Sequence, residues 1–419
     1  MIGLADCNNF FVSCERSINP ALDGKPVVVL SNNDGCVVAR SNESKRLGVK
    51  MGQPAFEIRD MIEKHRIIAL SGNHLLYRDI SLRVHDIFRR FVPSALDYSV
   101  DESFLDVNGI PVDVLPEIGE AIYNACWKEM RIPVTIGFAP TKTLAKIATE
   151  VSKKGGQRLG IIYDEADAVK IYDNIPIYDL WGVGRRLTKM LYQNGVYTIG
   201  QFAARDVEWV KKKMGVTGER SWRELHCQPC IELNHVERLL QDSISESRTF
   251  PEDVTDYDYI RARIVIYTSD CARKLRAMNG ECRSVGVFLR GNPFRNTEPV
   301  LRPERVVRLS SPCNDTITLT EVALDILDNI FIEGAAFKRA GVWLGDIQKC
   351  VLRPGSLFET EVDAKTEKKQ LMNKFMKTID KINNVVGYKN IGLASQLVKG
   401  HQGHNDGYSS SFQAPSRKK

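Results

Sequence analysis

Two short acidic stretches constrain this chain more than any other feature in it. Near the start, Gly3-Leu4-Ala5-Asp6-Cys7-Asn8-Asn9-Phe10-Phe11 brings a small apolar run up to an aspartate. About ninety residues later, Tyr98-Ser99-Val100-Asp101-Glu102-Ser103-Phe104-Leu105-Asp106 carries adjacent acids inside an alternating apolar segment. Successive side chains of a strand point to opposite faces, so Asp101 and Glu102 can serve one site only where the chain turns, as at a hairpin tip. Three carboxylates gathered on one sheet surface repel each other unless cations sit among them. Hard oxygen ligands of this kind suit Mg²⁺, and a pair of such ions is a way to catalyse phosphoryl transfer. By spacing alone, the alternative stays open that each acid is merely solvated at a strand end or turn.

The rest of the chain supplies a frame for these acids. Asn9 is placed to cap a helix opening at Phe10 and Phe11, two aromatics whose ordinary use is core packing. A buried strand over 27–30, a turn at Asn32-Asn33-Asp34-Gly35 and a strand over 37–39 follow. Ser41 then caps a short helix, ended by Gly48, that carries Lys45 and Arg46. An amphipathic helix over 75–92 turns Leu75, Leu82, Ile87 and Phe88 inward and is closed by Pro93.

Beyond the acidic hairpin come a helix over about 116–130 and the strand Val134-Thr135-Ile136-Gly137. That strand runs into Pro140-Thr141-Lys142-Thr143-Leu144-Ala145-Lys146-Ile147-Ala148, a helix capped by Thr141 with Leu144, Ile147, Ala148 and Val151 as its buried stripe. Lys142, Lys146 and Lys153 fall close to one face of it, an arrangement suited to phosphate. In Asp179-Leu180-Trp181-Gly182-Val183-Gly184, the glycines would let backbone N–H groups approach a phosphate, with Arg185, Arg186 and Lys189 directly after. A polar stretch over 234–247 reads as a linker. After it come a helix over 256–278, strands over 284–289 and 305–309, a helix over 320–333 and a strand over 340–344.

Charge is uneven along the chain. Residues 348–419 hold 13 Lys and Arg against 6 Asp and Glu, and residues 261–308 hold 11 against 4, a blocked pattern that suits a protein gripping phosphates at several points. No apolar run reaches the length of a membrane span, and the N-terminus lacks a signal-peptide pattern, so a cytoplasmic protein is expected. The ten cysteines follow no framework spacing and are expected to be reduced. His226-Cys227-Gln228-Pro229-Cys230 has no second ligand pair to complete a zinc site.

The two acidic stretches, together with the TKTLAKIA run, resemble the Y-family translesion DNA polymerases over roughly residues 1 to 350. Within that family the UmuC type, the catalytic subunit of bacterial DNA polymerase V, is most similar. The resemblance implies an α+β multidomain right-hand polymerase. Its palm would be residues 1–18 and 75–172, a mixed sheet backed by two helices, with small fingers over 19–74. A helix-hairpin-helix-like thumb would span 173–235, an α+β little finger 243–347 and a tail 348–419.

It further implies that Asp6 and Asp101 bridge two Mg²⁺ ions, Glu102 holds the first, and the Cys7 carbonyl, not its sulfur, helps the second. Phe11, beside Phe10, would lie beneath the incoming sugar and reject a 2′-hydroxyl. Lys45 and Lys153 would contact the triphosphate, with Lys146 a lesser candidate and Asn42 standing where relatives often have tyrosine. Gly182, Gly184, Arg185 and Arg248 would grip primer–template DNA. Leu357-Phe358 would form a sliding-clamp peptide lacking the usual leading glutamine. A processed UmuD-like dimer and a RecA filament would be partners. The function implied is error-prone translesion synthesis from dNTPs in the bacterial DNA-damage response. A nuclease built on the same acids, or a DNA-binding scaffold that has kept the fold, are the competing readings.

Overall fold

In the computed structural model, which describes residues 1–31, 35–232, 241–294, 300–350, 371, 375–383 and 391, the apolar run before Asp6 becomes strand β1 (Ile2–Cys7). The described residues fall into two compact units, one up to residue 232 and one from residue 241. In the first, the order is α1 (Phe10–Ile18), β2 (Val27–Leu30), β3 (Val37–Arg40), α2 (Asn42–Arg46), α3 (Arg59–His65), β4 (Ile68–Ser71) and α4 (His74–Phe88). Then come β5 (Ser94–Asp97), β6 (Glu102–Asp106), α5 (Leu115–Met130), β7 (Val134–Ala139), α6 (Lys142–Lys154) and β8 (Leu159–Ile161). Four more helices follow, α7 (Glu165–Tyr172), α8 (Arg185–Gln193), α9 (Ile199–Ala203) and α10 (Val207–Leu225).

β1 is the central strand of a five-stranded mixed sheet ordered β5-β6-β1-β7-β8, antiparallel except for β7 with β8. Alternation along β1 decides where the aspartate goes. Ala5 and Cys7 enter a core shared with α1, α4 and α5, whereas Leu4 packs with Leu144, Ile147 and Ala148 of α6. Asp6 shares the α6 face with Leu4. Helices thus cover both faces of the sheet, α1, α4 and α5 on one and α6 on the other, a fuller cover than two backing helices.

Helix α6 lies almost on the strands beneath it. A Cβ on Gly137 would come within 2.5 Å of both the Ala145 carbonyl oxygen and the Thr149 nitrogen, and one on Gly160 within 2.8 Å of the Ala148 carbonyl oxygen. These are backbone atoms and cannot yield. Gly137→Ala is therefore expected to destabilise the protein by about 3 kcal/mol, seen as a fall in urea midpoint at unchanged slope. An unchanged midpoint would contradict this packing.

Between α1 and α4 a small insertion forms its own sheet, ordered β3-β2-β4, over a core of Val28, Leu30, Val37, Val49 and Ile58. Residues 32–34 of the expected turn at 32–35 lie outside the described residues. Ser41 caps α2 and Thr141 caps α6 through their side-chain oxygens, as the sequence predicts. Three expectations are corrected. Leu75 and Leu82 are 78% and 45% exposed, because the inward stripe of α4 is set by Leu76, Tyr77, Ile80, Val84, Ile87 and Phe88. Val151 is 38% exposed and lines a cavity beside α6. Asn9 makes no side-chain cap and instead donates to Asn42 Oδ1 at 3.0 Å.

The second unit contains β9 (Ser243–Val254), α11 (Tyr257–Ala277), β10 (Gly280–Arg290), β11 (Glu304–Cys313), α12 (Thr316–Ile330), β12 (Phe337–Gly345) and β13 (Gln348–Lys349). The antiparallel sheet β11-β10-β12-β9 packs one face against α11 and α12 around Val285, Val287, Leu289, Val342 and Leu344. The supposed linker ends earlier than its polar composition suggests, since 243–247 already belongs to β9. Helix α12 starts at Thr316, not 320, because Asp315 caps it. A helical segment of the tail docks here too, with Met376 buried and Asp380 gripping Arg276 at 2.7 and 2.9 Å. Among the described residues, no helix is long and apolar enough to cross a membrane.

Candidate active site

The β1–β6 pairing brings the acids together. Asp6 and Glu102 are directly opposed across the ladder, and the Cys7 N–H donates to the Asp101 carbonyl at 2.8 Å. The β5–β6 hairpin turns at residues 98–101, as the adjacent acids require. Ser99 organises this turn: its hydroxyl donates to Asp101 Oδ1 at 2.6 Å and accepts from the Glu102 N–H at 3.1 Å.

Burial pushes the Asp6 carboxyl up to about 7, against the pull of Lys153; the charges of Glu102 and Asp101 add to the rise. Lys153 is ion-paired with Asp6, and Lys146 donates to Glu102 Oε1 at 2.8 Å while lying over the Tyr98 ring, 4.7 Å from its centroid. With two carboxylates turned onto lysines, no three His, Cys, Asp or Glu side chains among the described residues converge closely enough to hold a metal ion. The donor chemistry nonetheless fits divalent cations. Three carboxylates and the Cys7 carbonyl are hard oxygens, and the ammonium groups mark where positive charge is needed. The Cys7 thiol itself is buried in the core and raised far above its usual range by that burial, which leaves it protonated and unsuited as a ligand.

A cavity of about 240 Å³ opens beside this cluster, lined in part by Asp6, Asp101, Phe11, Lys45 and Lys153. Phe10 also borders it but is mainly core. The Phe11 ring is fixed from one side. It stacks on Tyr77 with centroids 4.4 Å apart, and the Tyr77 hydroxyl donates to buried Glu15 at 2.7 Å. Lys45 is drawn below the ordinary lysine range by partial desolvation and by repulsion from Arg40 and Lys153. Asn42 is the first residue of α2 and is bonded to Asn9. Neither Tyr77 nor Glu15 was legible as part of the site, since their contact spans 62 positions.

The Gly-Val-Gly hairpin precedes α8, with Gly182 at φ +88°, Val183 buried and both glycines exposed. Arg185 opens α8, and Arg185 and Lys189 line a shallow cleft. In the second unit, Arg248 is exposed on edge strand β9 in register with buried Ala340, so its side chain starts from the helix-covered face. The basic residues sharing the opposite face are Arg290, Arg308 and Arg339, which alternation with Val285, Val287 and Leu289 could have identified. Leu357 and Phe358 lie outside the described residues.

Comparison with known proteins gives two matching family models, the impB/mucB/samB family over residues 5–150 and the impB/mucB/samB family C-terminal domain over residues 241–354. Protein ImpB of Salmonella typhimurium is 36% identical over 389 residues, covering 91% of this chain and 90% of its own length. Protein UmuC of Salmonella typhimurium is 36% identical, with 83% of each chain covered. DNA polymerase IV of Moorella thermoacetica is 32% identical, covering 70% of this chain and 73% of its own length. Among solved structures, a Y-family DNA polymerase chimera of Dbh and Dpo4 matches with a TM-score of 0.67 at 21% identity, covering 83% of this chain and all of the other.

Proposed function

This chain belongs to the impB/mucB/samB family of Y-family DNA polymerases, and on that premise we propose how its residues divide the work of copying DNA. It is a DNA-directed DNA polymerase that carries error-prone synthesis past damaged template positions, and it is metal-dependent. The observation that carries the assignment of roles is the register of β1 and β6, which sets Asp6 opposite Glu102 with Asp101 beside Cys7.

Asp6, Asp101, Glu102 and the Cys7 carbonyl would hold two Mg²⁺ ions, which would supply Lewis-acid activation of the primer 3′-hydroxyl and charge compensation for the triphosphate and leaving pyrophosphate. Lys45 and Lys153, which both line the cavity, bind the triphosphate, and Asn42 steadies α2 through Asn9. The Phe11 ring occupies the space a 2′-hydroxyl would need, with Phe10 bracing it. Gly182, Gly184 and Arg185 contact a backbone phosphate, and Arg248 adds a further contact to primer–template DNA. The catalytic unit acts in the cytoplasm. A processed UmuD-like dimer and a RecA filament complete its activity, and a sliding clamp engages Leu357-Phe358.

Primer extension tests this directly. With dNTPs, Mg²⁺, the UmuD-like dimer and RecA filament supplied, the full chain is expected to add nucleotides opposite and beyond an abasic site. Primer shortening without dNTPs would favour a nuclease instead, and no reaction under any condition would favour a scaffold.

A further inference from the structure

A carboxylate remote from the catalytic acids in sequence holds the leading end of the helix that serves them. Glu224, in the last turn of α10, is only 1% exposed. Its Oε2 accepts from the Thr143 N–H at 2.8 Å and the Thr143 hydroxyl at 2.7 Å. Its Oε1 accepts from the Ile231 N–H at 3.1 Å and the Cys230 N–H at 3.5 Å. Its own carbonyl accepts from the hydroxyl of Thr141, the N-cap of α6, at 2.9 Å. The negative charge therefore sits on the positive end of α6, where the first N–H groups lack partners within the helix.

The same helix delivers both ammonium groups to the acids. Lys146 stands one turn from Thr143, and Lys153 ten residues from it, about 15 Å along a rigid axis. A slip at the first turn is carried to both. We propose that Glu224 is a positioning residue for nucleotide binding: by clasping the front of α6 from α10, it fixes where Lys146 and Lys153 meet the site. The proposal rests on the assignment of Lys153 to the triphosphate.

Glu224→Gln is the sharp variant, because an amide can accept at only one of the two positions and must present N–H groups to donors at the other. In single-nucleotide insertion by the full chain, Glu224→Gln is expected to raise the KM for dNTP about tenfold with a smaller change in kcat. In a Lys153→Ala background the same substitution is expected to change KM less than twofold, since the ammonium assigned to the triphosphate is gone and Lys146 pairs with Glu102 rather than with the nucleotide. If Glu224→Gln folds poorly, Thr143→Ala removes one of the four donors and is expected to raise KM about threefold, again only when Lys153 is present. A wild-type KM in these variants, or an equal rise in both backgrounds, would overturn the clasp. A wild-type KM in Lys153→Ala alone would overturn the triphosphate assignment instead.

Discussion

Asp101→Ala is expected to lower the rate of nucleotide insertion by about 10³-fold or more while leaving the fold intact. The size of the loss follows from the proposed role: a charge that holds the reacting groups' counter-ions contributes several kcal/mol to the transition state, and each 1.36 kcal/mol is tenfold in rate. The intact fold follows from the surroundings. The Asp101 side chain accepts from the Ser99 hydroxyl, whereas the turn is closed by the Tyr98 and Ser99 N–H groups donating to the Glu102 carbonyl at 3.0 and 3.1 Å. Those backbone bonds survive truncation of Asp101. Single-turnover insertion and a urea midpoint on the same preparation separate the two effects. Activity within tenfold of wild type would remove Asp101 from the site.

The second large effect is one of selectivity. Phe11→Ala is expected to lower the preference for dNTP over the matching rNTP by about 10²-fold, read as the ratio of kcat/KM values. A clash discriminates only if the obstructing group cannot move aside. Here the ring is stacked on Tyr77 at an interplanar angle of 17° and edged by His74, with centroids 5.8 Å apart. Tyr77 in turn is tethered to Glu15, so yielding would disturb a buried hydrogen bond. Overlap with such a packed group costs about 1–3 kcal/mol, enough for the stated factor at its upper end. An unchanged ratio would place the sugar elsewhere.

Features written in local pattern were legible from the sequence. The apolar run to Asp6, the adjacent acids that demand a turn, and the Ser41 and Thr141 caps depend on neighbours within a few residues. Features that depend on packing between distant segments were not. Leu75 and Leu82 look apolar on a helical wheel, but which side of α4 faces the sheet is decided by Tyr77 and Ile80 meeting α1 and the core. The first five residues of the strand over 243–254 hid as the end of a linker because their composition, Ser243-Ile244-Ser245-Glu246-Ser247, is what an exposed edge strand tolerates. The partners chosen by Lys146 and Lys153, and the hold of Glu224 on α6, join segments 44 to 147 positions apart and leave no trace in spacing.

An ammonium can neutralise one anion at a time. Lys153 rests on Asp6 and Lys146 on Glu102, so two of the three clustered carboxylates have an ammonium partner. If a triphosphate draws Lys153 away, as the proposed roles require, Asp6 is freed for a cation. Ion and nucleotide would then strengthen each other's binding by equal factors, and the enzyme would arm itself only when both are present.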